Sequence, residues 1–89
     1  MNDMLEVLKS RLVDGLTIVH VKELYSKYMV TMQLGNDTTK VDLWKTCKPG
    51  DQNDLCDRVV WTAMSTIYFN RGDFLSAKVW LDKLSGGNK

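Results

Sequence analysis

Residues 60–84 most narrow what this chain can fold into. Apolar side chains recur there at three- and four-residue spacing on both sides of Arg71-Gly72-Asp73, the pattern of two amphipathic helices folded back on each other. On the first helix Leu55, Val59, Val60, Ala63, Met64, Ile67 and Tyr68 form a wide apolar stripe, which predicts that this helix is the centre of the core. On the second, Phe74, Ala77, Leu81 and Leu84 are the expected buried stripe, with Asp73 as cap and Gly86-Gly87 as the end. Arg71-Gly72-Asp73 also spells an integrin-binding tripeptide, but turn and cap chemistry accounts for all three residues.

Upstream the period changes from helical to alternating. Tyr28, Val30, Met32 and Leu34 alternate with Met29, Thr31 and Gln33, as in a half-buried strand. Gly35-Asn36-Asp37 breaks the run, and Val41 and Leu43 then alternate with Lys40, Asp42 and Trp44, so the pair reads as a hairpin. Residues 16–21 are apolar and β-branched and predict a first strand, whereas residues 22–27 fit either a turn or one turn of helix. A first helix is expected from a cap at Asn2 or Asp3 to about Val13, with Leu5, Leu8 and Leu12 on one face and Gly15 beyond its end. Residues 46–53 read as a loop around Pro49-Gly50, with Asp51 or Asn53 capping the long helix. A chain of 89 residues has room for one domain, 1–89, and it shows no linker, low-complexity segment or internal repeat. The expected fold is α+β in the order α-β-β-β-α-α, a small antiparallel sheet packed against a C-terminal helical hairpin.

Composition limits the function classes. Twelve basic and eleven acidic residues leave a net charge of +1, too little to attract nucleic acid or an anionic membrane through a global field, and without the acidic excess of a DNA mimic. No apolar run approaches the roughly eighteen residues of a membrane span. Asp3 and Glu6 stand where a secretory signal would be basic, so a soluble, cytoplasmic protein with no membrane partner is expected. Cys47 and Cys56 are then reduced thiols, and a zinc site would need more ligands than these and the single His20. Cys56 near a helix start could have a lowered pKa, but an inert thiol is the expectation. His20 has no neighbouring acid or thiol placed to form a dyad. Asp51, Asp54 and Asp57, three residues apart, suit the positive end of a helix better than a magnesium ion. With no G-x-G-x-x-G and no P-loop, the sequence predicts no cofactor, no metal, no catalytic residue and no enzyme.

Trp61, Met64, Ser65, Tyr68, Gly72, Phe74 and Ala77 fall at the spacing of the tetratricopeptide pattern, and residues 58–85 resemble a single repeat of that family. The small residues would let two helices approach while the aromatics fill the flanks. Leu81 replaces the usual aromatic, Leu84 the usual alanine, and the terminal proline is missing. The resemblance implies a protein- or peptide-binding role. One unit stands where such repeats need about three to bury a continuous core, so the spacing also fits convergence on the same hairpin packing.

Two binding readings follow. Three tryptophans, three tyrosines and five methionines exceed what a core this small needs, and such residues gather at protein interfaces. Trp44 and Trp80 are the expected anchors, with Tyr25 and Tyr28 beside them, for a protein partner or a second copy in a homodimer. The domain would then be an adaptor or inhibitor that occupies a partner's surface, and its size and architecture suggest a phage or mobile-element protein. Alternatively, Lys22, Lys27, Lys40, Lys45 and Lys48, interleaved with Tyr25, Tyr28 and Trp44, could hold a single-stranded nucleic acid on the sheet. Glu23, Asp37 and Asp42 interrupt that patch, and edge lysines commonly serve to prevent sheet aggregation.

Overall fold

The computed structural model describes residues 4–45 and 49–85. Its elements are α1 (Met4–Ser10), β1 (Leu16–Glu23), β2 (Lys27–Leu34), β3 (Asp37–Trp44), a 3-10 turn (Pro49–Asp51), α2 (Gln52–Asn70) and α3 (Phe74–Leu84), the expected α-β-β-β-α-α order of an α+β fold. The strands form one open antiparallel sheet in the order β1-β2-β3. β2 and β3 stay in register from Lys27↔Trp44 to Leu34↔Asp37. They turn through Gly35-Asn36, where Gly35 has φ 64°, the left-handed backbone that short hairpin turns need. The β1–β2 register shifts between Ile18 and His20, a bulge that leaves Val19 half exposed on an edge strand. Residues 22–27 resolve into strand ends and a turn, closed by Leu24 N donating to the Lys27 carbonyl at 2.8 Å.

One face of the sheet is dry. Leu16, Val30, Met32, Leu34, Val41 and Leu43 are buried against Cys56, Val59, Val60, Ala63, Met64 and Ile67 of α2 and against Met4 and Leu8 of α1. α2 thus occupies the centre of the core, as its stripe predicts. Arg11 ties α1 to it: Nε and Nη2 donate to the two Asp57 carboxylate oxygens at 2.8 and 2.7 Å. Those hydrogen bonds, and then the carboxylate charge, raise the guanidinium pKa above its ordinary value. The acid row on α2 is therefore divided, Asp57 serving a tertiary ion pair while Asp54 faces Arg58 one turn on at 3.4 Å.

Several boundaries differ from expectation. α1 stops at Ser10 rather than Val13, where Ser10 Oγ donates to the Val7 carbonyl and Arg11 N to the Leu8 carbonyl. Gly15, with φ 90°, serves the turn into β1. Pro49–Asp51 is a 3-10 turn that shortens the expected loop. Asp51 holds the cap position of α2, yet its side chain makes no capping hydrogen bond there. The Asn2 or Asp3 cap, Cys47, Lys48 and Gly86-Gly87 lie outside the described residues. The largest difference is in α3, where Ala77 alone of the expected stripe is buried. Leu84 is half buried, and Phe74 and Leu81 stand about half exposed or more. The inward arc is set by Ala77, Trp80 and Leu84. At 3.6 residues per turn, Phe74 and Leu81 lie about 70–90° round the helix from its centre.

Candidate protein-interaction surface

The corner between α2 and α3 is built by its own three residues. Gly72 has φ 84°, and its N donates to the Phe69 carbonyl at 3.0 Å while Asp73 N donates to that of Tyr68 at 2.9 Å. Asp73 then caps α3, accepting from Ser76 N at 3.2 Å, as the sequence predicts. Arg71 fastens this corner to the β2–β3 turn. Its Nε donates to the Asp37 carboxylate, its Nη2 donates to the Leu34 carbonyl at 2.7 Å, and its guanidinium lies 5.3 Å from the centre of the Tyr68 ring. The hairpin is thereby held at a set angle to the sheet. Ser65 and Ala77, both small, are buried, and the Ser65 hydroxyl donates to the Thr62 carbonyl at 3.0 Å.

α3 is apolar on more sides than α2 can cover. Seven of its eleven residues are apolar, and a helix resting on one neighbour buries one stripe. Phe74, Leu75, Val79 and Leu81 remain 61%, 83%, 55% and 48% exposed. Phe74 and Leu81 lie on the flank shared with Phe69 of α2, itself 59% exposed. The Phe69 and Phe74 rings meet edge to face, 5.2 Å between centroids. Ser65, Thr66, Phe69 and Leu81 line a shallow groove of about 260 Å³ beside them. Chemically this surface offers apolar contact and shape.

The expected anchors fall in separate places. Trp44 lies on the uncovered sheet face, 46% exposed, with Lys27 Nζ 4.9 Å from its ring centre. Tyr25 is fully exposed in the β1–β2 turn, whereas Tyr28 packs against the core with Lys45 Nζ 4.9 Å from its ring. Trp80 is half buried against the core, and Lys83 Nζ sits within 6.0 Å of both the Trp80 and Trp61 rings. Of the lysines, Lys27 is paired with Asp42 at 2.9 Å and Lys45 with Glu23 at 2.8 Å, while Lys22 and Lys40 are exposed. His20 is exposed on the sheet, and Cys56 is buried with Sγ 3.8 Å from the Met4 carbonyl. The surface that the sequence did not single out is Phe69, Phe74, Leu75, Val79 and Leu81. Its one signal is an apolar count on α3 too high for a helix with a single buried stripe.

Among the described residues no group of three or more His, Cys, Asp or Glu side chains could hold a metal ion, and no helix is long and apolar enough to cross a membrane. Comparisons with family models, with curated proteins and with solved structures each return no match.

Proposed function

We propose that this is a small protein-binding domain that acts by occupying a surface of another polypeptide, and that the α2–α3 hairpin is the contact face. The observation that carries the reading is the second apolar arc of α3, with Phe69 beside it. Aromatic side chains cover roughly 150–250 Å² each when buried, so Phe69 and Phe74 still present roughly 90–150 Å² apiece. Leu81 extends this flank to roughly 220–380 Å², within the range of the largest apolar patches on small proteins, which are often functional, while Leu75 and Val79 stand exposed on the outer side of α3. A polypeptide with apolar side chains of its own is the ligand such a surface selects, and an adaptor or inhibitor needs no more.

The sheet supports nucleic acid less well. Bases would stack on the faces of Trp44 and Tyr28, and each ring already carries an ammonium group that is itself ion-paired. Affinity capture from lysate of the source cells, with and without nuclease, tests the reading. The wild-type chain should recover a stoichiometric protein in both conditions, and L81D should lose it while remaining folded. A catch that disappears with nuclease, or one that L81D retains in full, contradicts the proposal.

A further inference from the structure

We infer that the polypeptide seated on this face is a second copy of the chain, related by a twofold axis that places Phe74 of each copy in the groove of the other. The inference rests on the hairpin being the contact face, and three observations extend it to self-association.

The first is shape. A twofold interface brings one patch against itself, so the patch must carry both a projection and a recess that fits it. Phe74 projects, 61% exposed, at the head of α3, and the groove of about 260 Å³ formed by Ser65, Thr66, Phe69 and Leu81 lies on the same flank. The second is charge. A rim of one sign would repel itself and call for a partner of the opposite sign. This rim has both signs: Lys78 and Asp82 stand 3.5 Å apart on α3, and Arg71 and Asp73 flank the corner. With a net charge of +1, two copies also approach without a long-range barrier.

The third is area. Phe69 and Phe74 present roughly 180–300 Å² between them, and the exposed half of Leu81 raises this to roughly 220–380 Å² of apolar surface per copy. If apolar atoms make up about 60% of the contact, between the share in interfaces generally and that in homodimers, the dimer buries about 700–1,300 Å² in total. That reaches from the size of weak, transient interfaces to the lower edge of standard ones, as a reversible dimer would have.

Sedimentation equilibrium of the full chain over about 1–500 μM spans the concentrations at which a weak, reversible dimer dissociates. The wild-type mass should rise from monomer to twice that value. F74D should weaken association at least tenfold. H20A, on the sheet, should associate as the wild type does. Nuclear Overhauser contacts between labelled and unlabelled wild-type copies, at Phe69, Phe74 and Leu81, give the same answer without relying on the fold of a variant. A dimer that F74D leaves intact, or intermolecular contacts confined to the sheet, would overturn the inference. A wild-type chain that stays monomeric while L81D still loses a different captured protein overturns the second copy alone and leaves the hairpin as a binding face. A monomer whose L81D variant captures as the wild type does overturns both.

Discussion

Replacing Arg71 with alanine should destabilise the fold by about 2 kcal/mol, and the geometry sets that figure. The Asp37 ion pair is partly exposed on both sides, so it contributes at most about 1 kcal/mol. The hydrogen bond from Nη2 to the Leu34 carbonyl, 2.7 Å long and part buried, is charge-assisted and in the range of roughly 1.5–3 kcal/mol. The Tyr68 ring adds about 0.5–1 kcal/mol. One guanidinium makes all three contacts, so they do not sum, and the carbonyl can recover a water when the side chain is gone. For a domain of this size about 2 kcal/mol is a fall of roughly 8–16 °C in Tm, readable by circular dichroism. R71K should fall between wild type and R71A, because an ammonium cannot span the carboxylate and the carbonyl as a planar fork does. A Tm of R71A within about 2 °C of wild type would show that the corner holds itself and that the latch contributes nothing.

Four further perturbations separate the parts of the account. G72A places a Cβ in open space at φ 84°, so only backbone strain of about 1 kcal/mol is expected. G35A adds a contact of 3.1 Å with Arg71 Nη2 and should cost more, and the excess should vanish in an R71A background when the four proteins are compared by urea unfolding. W80A should lose about 2–3 kcal/mol because its ring packs against the core, whereas W44A should lose less than about 1 kcal/mol, so thermal melts of the pair separate core from surface. A77L overfills the α2–α3 contact and should cost about 1–3 kcal/mol or separate the helices, the latter seen in a W44F/W61F background as a Trp80 emission shift that precedes the loss of circular dichroism on urea unfolding.

What the sequence reveals follows from which patterns are local. β2 and β3 alternate cleanly because the sheet is covered on one face only, so Val30, Met32, Val41 and Leu43 are recognisable as core from their spacing. The bulge at Val19 breaks the same alternation in β1, and the strand's last residues are hidden among charged side chains. α2 is legible because its stripe is wide and faces the whole core. α3 is legible as a helix but not in its orientation. Its apolar residues populate more than one arc, and periodicity alone cannot say that Ala77, Trp80 and Leu84 turn inward while Phe74 and Leu81 stand on the exposed flank beside Phe69. The lysines mislead for a different reason. Lys27 and Lys45 read as free cations until strand pairing places Asp42 and Glu23 beside them. Arg71 and Asp37, distant in sequence, are joined only by the fold.

The central claim is that the exposed flank of α3, with Phe69, is a contact surface rather than incidental apolar exposure. A dilution series of ¹H–¹⁵N spectra, repeated with any captured protein, tests it most directly. The account predicts that resonances of Ser65, Thr66, Phe69, Phe74 and Leu81 shift together with concentration or with added partner, while those of the sheet residues His20, Thr31 and Trp44 stay fixed. Shifts that cluster on the sheet and leave the hairpin unmoved would contradict it.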